Sequence, residues 1–359
     1  MRTPAVAAKL TRSPPGQFVD AVLRGIGQVF LQNNPLTGAL ILLGIFLSSY
    51  RSGLYALLGT VVATVTALVI SAPRESVGQG LYGFNGTLTA IDLSFYIERQ
   101  ERLIAYVVLA CAVSAVLTAG IQNFLSFAHV PSLTAAFVAT TWVFLAALHQ
   151  FPHLAPSPAL LELPHLPAQA GGGGGSLTPA DLLSGFLNGF SQVFLQSGLW
   201  TGVAFLVGIL VNSRISAAAA AVGSLIGLGT GWALGLPATA LRDGLSGYNS
   251  VLTVIALGGL YYALSYRSAL LAAVGGIAAV VVYGTFATIL SPVGLPILTA
   301  PFVVTTWVFV LAATSLTRLR TVDPAEVTTP EGNLSSDSRR GTRSGSDARD
   351  SGSPGAGDR

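Results

Sequence analysis

Apolar residues in this chain occur in long runs that end at short clusters of charge or at proline. Five runs precede residue 149, at 36–50, 53–72, 79–96, 103–120 and 133–148. Five more follow residue 198, at 199–213, 215–235, 244–263, 268–290 and 295–317. A helix that crosses a hydrocarbon core about 30 Å thick needs roughly 20 mostly apolar residues. The pattern therefore predicts an all-α membrane protein with ten transmembrane helices.

Two further segments, 17–32 and 181–197, are apolar but carry several polar side chains. The first contains Asp20 and Arg24, which make it a poor lipid-facing helix. Sixteen helical residues also span only ~24 Å, at 1.5 Å per residue. Polar or irregular backbone at membrane depth is tolerated where protein surrounds it. We therefore expect two tilted or re-entrant helices packed inside the protein.

Three blocks of sequence occur twice, in the same order and at nearly constant spacing. QVFLQNNPLTGALILLG, from Gln28, returns as QVFLQSGLWTGVAFLVG, from Gln192, with 9 of 17 positions identical. GLYGFNGTLTAI matches GLSGYNSVLTVI, and PSLTAAFVATTWVF matches PILTAPFVVTTWVF. This indicates an internal duplication. Because five spans is an odd number, the two copies are expected to enter the membrane from opposite sides, as inverted-topology repeats with a site where they meet.

Composition agrees with a membrane protein, since 52% of residues are hydrophobic and 9% are charged. The chain divides into a flexible N-terminus, a first repeat, a Pro/Gly-rich linker, a second repeat and a disordered tail, with expected bounds 1–15, 16–149, 150–177, 178–317 and 318–359. Ten spans place both termini on one side, and a modest excess of Arg and Lys favours the cytoplasm. The single cysteine, Cys111, is read as a buried small hydrophobe.

The duplicated polar residues need an explanation, because an unpaired polar group inside a membrane is costly. Gln28 and Gln192 either tie a short helix to its neighbour or present a carbonyl oxygen to a passing solute. Thr134 and Thr299 either cap a helix or accept a hydrogen bond from that solute. The asparagines Asn85 and Asn249 either brace unwound backbone or cap a helix, and bracing is the favoured interpretation.

Matched apolar residues could form the walls of a flat slot. Phe84 and Leu88, and likewise Tyr248 and Leu252, are four residues apart and share a helix face. They are either core packing or slot walls, to which five neighbours could add: Phe30, Leu31, Val193, Phe194 and Leu195. Asp92 has an apolar counterpart, Ala256, and is either an interfacial residue or a functional intramembrane acid.

The duplicated polar set is neutral, which suits a neutral polar solute. The sequence contains no zinc-ligand spacing, no Walker loop, no triad arrangement and no basic cluster with interleaved aromatics. These patterns favour neither an enzyme, nor a metal or other cofactor, nor a nucleic-acid partner.

At the duplicated blocks the sequence resembles the urea transporter family, as a bacterial member, over roughly residues 17–317. The resemblance implies homotrimers in the plasma (inner) membrane whose protomers each pass urea through a filter between the inverted repeats. Gln28 and Gln192 then correspond to the filter amides, Thr134 and Thr299 to the row of oxygens, and four residues to the slot walls: Phe84, Leu88, Tyr248 and Leu252.

This chain departs from the family pattern at four places. It has Gln at both amide positions, Ala136 where the family usually has Pro, no Asn-Asn-Pro in the second half, and Tyr248 in place of Phe. We expect passive, channel-like permeation of urea. The alternative is an ion-coupled secondary transporter of urea or a similar small neutral amide. The lipid bilayer is the other expected partner.

Overall fold

The computed structural model describes residues 13–96, 101–148, 150–154, 177–316, 318–323 and 328–335. The predicted flexible N-terminus lies outside the described residues up to residue 12, as does the predicted linker over 155–176. The end of the predicted tail, 336–359, also lies outside them.

Seven helices make up the first half of the described chain: α1 (Pro14–Gln28), α2 (Pro35–Ser48), α3 (Tyr50–Val69), α4 (Arg74–Gly78), α5 (Gly83–Tyr96), α6 (Glu101–Ser126) and α7 (Ala135–Leu148). Seven helices follow in the second half: α8 (Pro179–Ser191), α9 (Leu199–Asn212), α10 (Arg214–Ala233), α11 (Ala238–Arg242), α12 (Gly247–Ile255), α13 (Tyr266–Leu290) and α14 (Ala300–Leu311). Each helix of the first half has its counterpart in the second, in the same order. The short pair α4 and α11 was not predicted from the sequence.

Helix starts follow local signals that the duplication preserves. Ser49 before α3 and Ser213 before α10 each accept a hydrogen bond from the backbone N–H three residues on. Such caps satisfy N–H groups that have no partner within the helix. Asn34 caps α2, which begins at Pro35, a residue that suits the first turn because it lacks an N–H.

Four described helices are long and apolar enough to cross a membrane: Tyr50–Val69, Ile104–Ser126, Arg214–Ala233 and Tyr266–Val293. Four apolar helices are shorter: Pro35–Ser48, Ala135–Leu148, Gly247–Leu260 and Ala300–Leu311. Pro179–Phe194 and Leu199–Asn212 pass the same test together but are bent by 71°. The predicted helical membrane architecture is confirmed. The count of ten crossings and two re-entrant helices stays a prediction.

The two halves contact each other through reciprocal hydrogen bonds. Thr37 of α2 donates to the carbonyl of Gly208, 2.7 Å away, and Thr201 of α9 donates to that of Gly44 at 3.2 Å. The indole of Trp142 donates to the carbonyl of Pro296 at 2.7 Å. In return, Trp307 donates to the carbonyl of Pro131 at 2.8 Å. Contacts exchanged in this way are what a twofold relation between two equivalent units produces.

Part of the predicted disordered tail is folded onto the second half. Residues 330–335 form a helical turn. The Glu331 carboxylate accepts hydrogen bonds from the Ser213 hydroxyl at 2.8 Å and the Ile215 N–H at 3.0 Å. The Asn333 amide donates to the carbonyls of Gly259 and Leu260. Residues 328–335 therefore pack against the second half through polar contacts, which a segment with few apolar residues does not announce in its sequence.

Candidate functional site

The candidate site lies where α7 and α14 begin. The hydroxyl oxygens of Thr134 and Thr299 are 2.7 Å apart, and both residues are 2% exposed. Each threonine follows a leucine with a left-handed backbone, Leu133 at φ 50° and Leu298 at φ 54°. The structure thus brings together the two threonines that the sequence singled out.

Two asparagines take the capping role that was weighed for the threonines. Asn85 of α5 accepts a hydrogen bond from the Phe137 N–H at 3.1 Å, and Asn249 of α12 accepts one from the Phe302 N–H at 3.0 Å. Thr299 occupies the N-cap position of α14, but its side chain makes no capping bond. These contacts match the capping alternative for the asparagines and not the favoured bracing of unwound backbone, and the Thr299 hydroxyl is turned to Thr134 instead.

The predicted wall residues of both halves belong to one buried cluster. Phe84 is 6% exposed, Tyr248 is 8% exposed, and Leu88 and Leu252 are fully buried. The Tyr248 hydroxyl donates to the carbonyl of Leu298 at 2.6 Å, so the residue that departs from the expected Phe is fixed to the backbone just before Thr299.

The two glutamines have different surroundings. The amide nitrogen of Gln28 donates to the carbonyl of Gln79 at 2.9 Å, which ties α1 to the segment before α5. This contact matches the alternative in which the glutamine ties a short helix to its neighbour. The amide oxygen of Gln28 takes no part in the bond. Gln192 is half-buried in a 3-10 turn, and its side chain makes no hydrogen bond to another described residue. A filter role for either amide stays a prediction.

Phe30 lies in a packed aromatic group at the crossing of the two halves. Its ring centroid is 5.8 Å from that of Phe194 and 5.8 Å from that of Phe205. Phe30 is fully buried, as is Val193 at 1% exposure. Both are in the same cluster as the wall residues, and the structure does not place them at a defined solute position.

Sequence reasoning missed two features that hold this region. Gln32 and Gln196 each donate to the carbonyl two residues earlier, that of Phe30 or Phe194, at 2.9 Å. Trp142 and Trp307 make the reciprocal bonds described above. The signal was present, because the second Gln of QVFLQ and the Trp of TTW are duplicated like the residues that were singled out.

The arrangement offers neutral acceptors beside apolar walls. No group of three or more His, Cys, Asp or Glu residues that could hold a metal ion occurs among the described residues. Apolar walls disfavour an ion, whose desolvation costs far more than that of a neutral group. The paired hydroxyls can exchange hydrogen bonds with a neutral polar molecule.

Comparison with known proteins places the chain among transport proteins. The family model described as urea transporter matches residues 19–314. Urea transporter 1 from Ovis aries is 32% identical over 320 residues, which are 88% of this chain and 83% of the relative. The Capra hircus protein of the same name is 31% identical, and that of Rattus norvegicus is 30% identical, with the same coverage. These relatives are mammalian, so a bacterial origin stays a prediction.

Proposed function

The chain belongs to the urea transporter family, and on that premise we propose that it passes urea passively, as a channel, through a filter between its two halves. As a member of this family it is a multi-pass membrane protein that transports urea, and it is not an enzyme. What we propose beyond family membership is that passage is passive, that it runs through a filter, and which residues form that filter.

The observation that carries the proposal is the meeting of Thr134 and Thr299, whose hydroxyl oxygens are 2.7 Å apart. Two matched helices begin at this point, one from each half. In inverted-repeat transporters the substrate site lies near the midplane, where the repeats meet. We place the filter at this pair, with the halves inverted in the membrane.

The apolar residues that we assign to the filter walls favour a planar solute. Phe84 and Leu88 come from α5, Tyr248 and Leu252 come from α12, and all four lie in one apolar cluster. Urea is flat and uncharged, and each hydrogen bond to water that is not replaced costs about 1–3 kcal/mol. Hydroxyl and amide oxygens would replace those bonds along one edge, while the apolar faces exclude ions.

Stopped-flow light scattering on proteoliposomes tests the proposal. We expect urea to equilibrate faster than in protein-free vesicles, and at a rate that an imposed proton or sodium gradient does not change. Flux no faster than in empty vesicles would reject urea passage. Flux that follows either gradient would instead support ion-coupled transport of urea or a similar small neutral amide.

We propose that the protein acts as a homotrimer in the plasma (inner) membrane, with both termini in the cytoplasm. Large apolar side chains cover much of the described surface, for example Leu47, Phe124, Trp200 and Trp232, which are 61–78% exposed. Many exposed apolar side chains of this size suit contact with lipid or with other protomers. Mass measurement in detergent and accessibility of tagged termini in oriented vesicles test the trimer and the orientation.

A further inference from the structure

Asp92 continues one of the two predicted walls. Phe84, Leu88 and Asp92 are spaced four residues apart on α5, so their side chains follow one another along the same side of the helix. Their exposed fractions are 6%, 0% and 1%. Four residues of helix rise about 6 Å. The carboxyl group therefore lies about one turn beyond the wall formed by Phe84 and Leu88.

The contacts of α5 show which way this side of the helix faces. Phe84, Leu88 and Ile91 pack in the cluster that contains Tyr248 and Leu252 of the other half. Ala90 and Leu93 instead pack in a separate cluster with residues of α6 and α7. Asp92 lies one helical turn after Leu88 and directly follows Ile91, and both of these residues pack in the interface cluster. It is therefore directed toward the interface between the halves.

Neither carboxyl oxygen of Asp92 has a hydrogen-bond partner within the described part of the chain. A residue that merely joined two helices would use its oxygens for that contact. An acid at membrane depth is expensive, and such residues commonly serve a ligand or an ion. The counterpart in the second half, Ala256, directly follows α12 and is fully buried without any polar group. Packing at this position therefore does not require an acid.

We propose that the Asp92 carboxyl group forms a second ligand site on one side of the urea passage, for small planar molecules with paired N–H donors. This inference rests on the proposed function. Urea would be passed on from this site. Guanidinium has nearly the same shape, and its two parallel N–H groups match a carboxylate in a bidentate, charge-assisted pair. It would be held there.

Guanidinium is therefore the informative ligand. Its charge compensates that of the buried carboxylate, a contribution that urea cannot make. Because Asp92 lies about one turn beyond Leu88, toward the end of α5, we expect the cation to approach it from that side without crossing the apolar slot. A guanidinium ion held at this point would obstruct the path of urea. The site occurs in one half only, so the obstruction depends on a single residue.

The test measures urea flux in proteoliposomes with millimolar guanidinium chloride, or with tetramethylammonium chloride as a cation that has no N–H. We expect guanidinium alone to slow flux through the native protein. In Asp92→Asn, with flux expressed relative to its own uninhibited rate, the half-inhibitory concentration should rise at least tenfold. Ala256→Asp in the Asp92→Asn protein should restore inhibition from the opposite side of the membrane.

Equal inhibition of the native and Asp92→Asn proteins, or none in the native protein, would overturn the inference. Thermal unfolding in detergent gives a second readout that needs no flux. Millimolar guanidinium should raise the melting temperature of the native protein and not that of Asp92→Asn. Native vesicles without urea flux would instead reject the proposed function, and the melting data would still decide this inference.

Discussion

Thr134 and Thr299 share one hydrogen bond, with 2.7 Å between their hydroxyl oxygens. A pair of hydroxyls carries two protons, and the bond between them uses one. The other proton, and lone pairs on both oxygens, remain for a third molecule. Urea has both N–H donors and a carbonyl acceptor, so it can exchange hydrogen bonds with the pair in either direction.

Replacing one of these two threonine hydroxyls should therefore lower the rate of urea flux. Thr299→Val removes an acceptor and leaves the Thr134 hydroxyl without its partner. A lost hydrogen bond of about 1 kcal/mol corresponds to roughly fivefold in rate, so we expect at least that reduction in urea flux. Thr285→Val is the control, because Thr285 lies on an exposed part of α13 and bonds only within its own helix.

The double variant Thr134→Val/Thr299→Val separates flux from stability. Removing both partners of a buried hydrogen bond is less costly than removing one. We expect the double variant to melt above the single variant while its urea flux is as low or lower. Flux that recovered together with stability would indicate that the threonines only hold the two helices together.

The two glutamines should respond differently to truncation. Gln28→Ala removes the bond to the Gln79 carbonyl, so we expect lower flux together with a stability loss of about 1 kcal/mol. Gln192→Ala removes no hydrogen bond to another described residue and should lower flux at nearly unchanged melting temperature. Chemical denaturation and stopped-flow flux of both variants check this. Unchanged flux in both would leave the amides with a structural role alone.

Tyr248→Phe tests why tyrosine stands at this wall position. The change leaves the buried Leu298 carbonyl with only the 3.4 Å contact from Asn249. We expect a loss of stability of about 1–3 kcal/mol, the cost of a buried group without its partner. Tyr266→Phe is the matched control, because Tyr266 is 75% exposed. A similar melting temperature for both variants would show that the bond to Leu298 contributes little.

The sequence predicted the long helices from its apolar runs. It predicted two equivalent halves from its duplicated blocks. Apolar runs located both ends of α3, α6, α10 and α13 to within six residues. These four segments are predicted to be helical because each is an apolar run long enough to cross a membrane, which can be read from composition alone. The short helices α4 and α11 have no such run and were missed.

Contacts between distant residues could not be predicted in the same way. The sequence singled out Thr134 and Thr299 but left both capping and solute contact open. Asn85 and Asn249 occupy the N–H groups of Phe137 and Phe302 that a capping threonine would use, and the contact with a solute stays a prediction. The packing of residues 328–335 was also missed, since Glu331 and Asn333 act through polar contacts to the start of α10 and to the carbonyls of Gly259 and Leu260.

Glu331 makes the docking of residues 328–335 sensitive to acid. Partial burial opposes the charged form, but hydrogen bonds from the Ile215 N–H and the Ser213 hydroxyl outweigh it and lower the pKa of Glu331 below 4.5. A carboxylate with a lowered pKa stabilises the docked state above its ordinary pKa, and this contribution is lost as pH falls through the lowered value. Hydrogen exchange of residues 328–335 should therefore be slow at neutral pH and accelerate below about pH 4. Glu331→Gln should exchange faster at neutral pH and show little further change on acidification. Equal protection of both proteins across this range would mean that the Asn333 contacts hold the segment without the carboxylate.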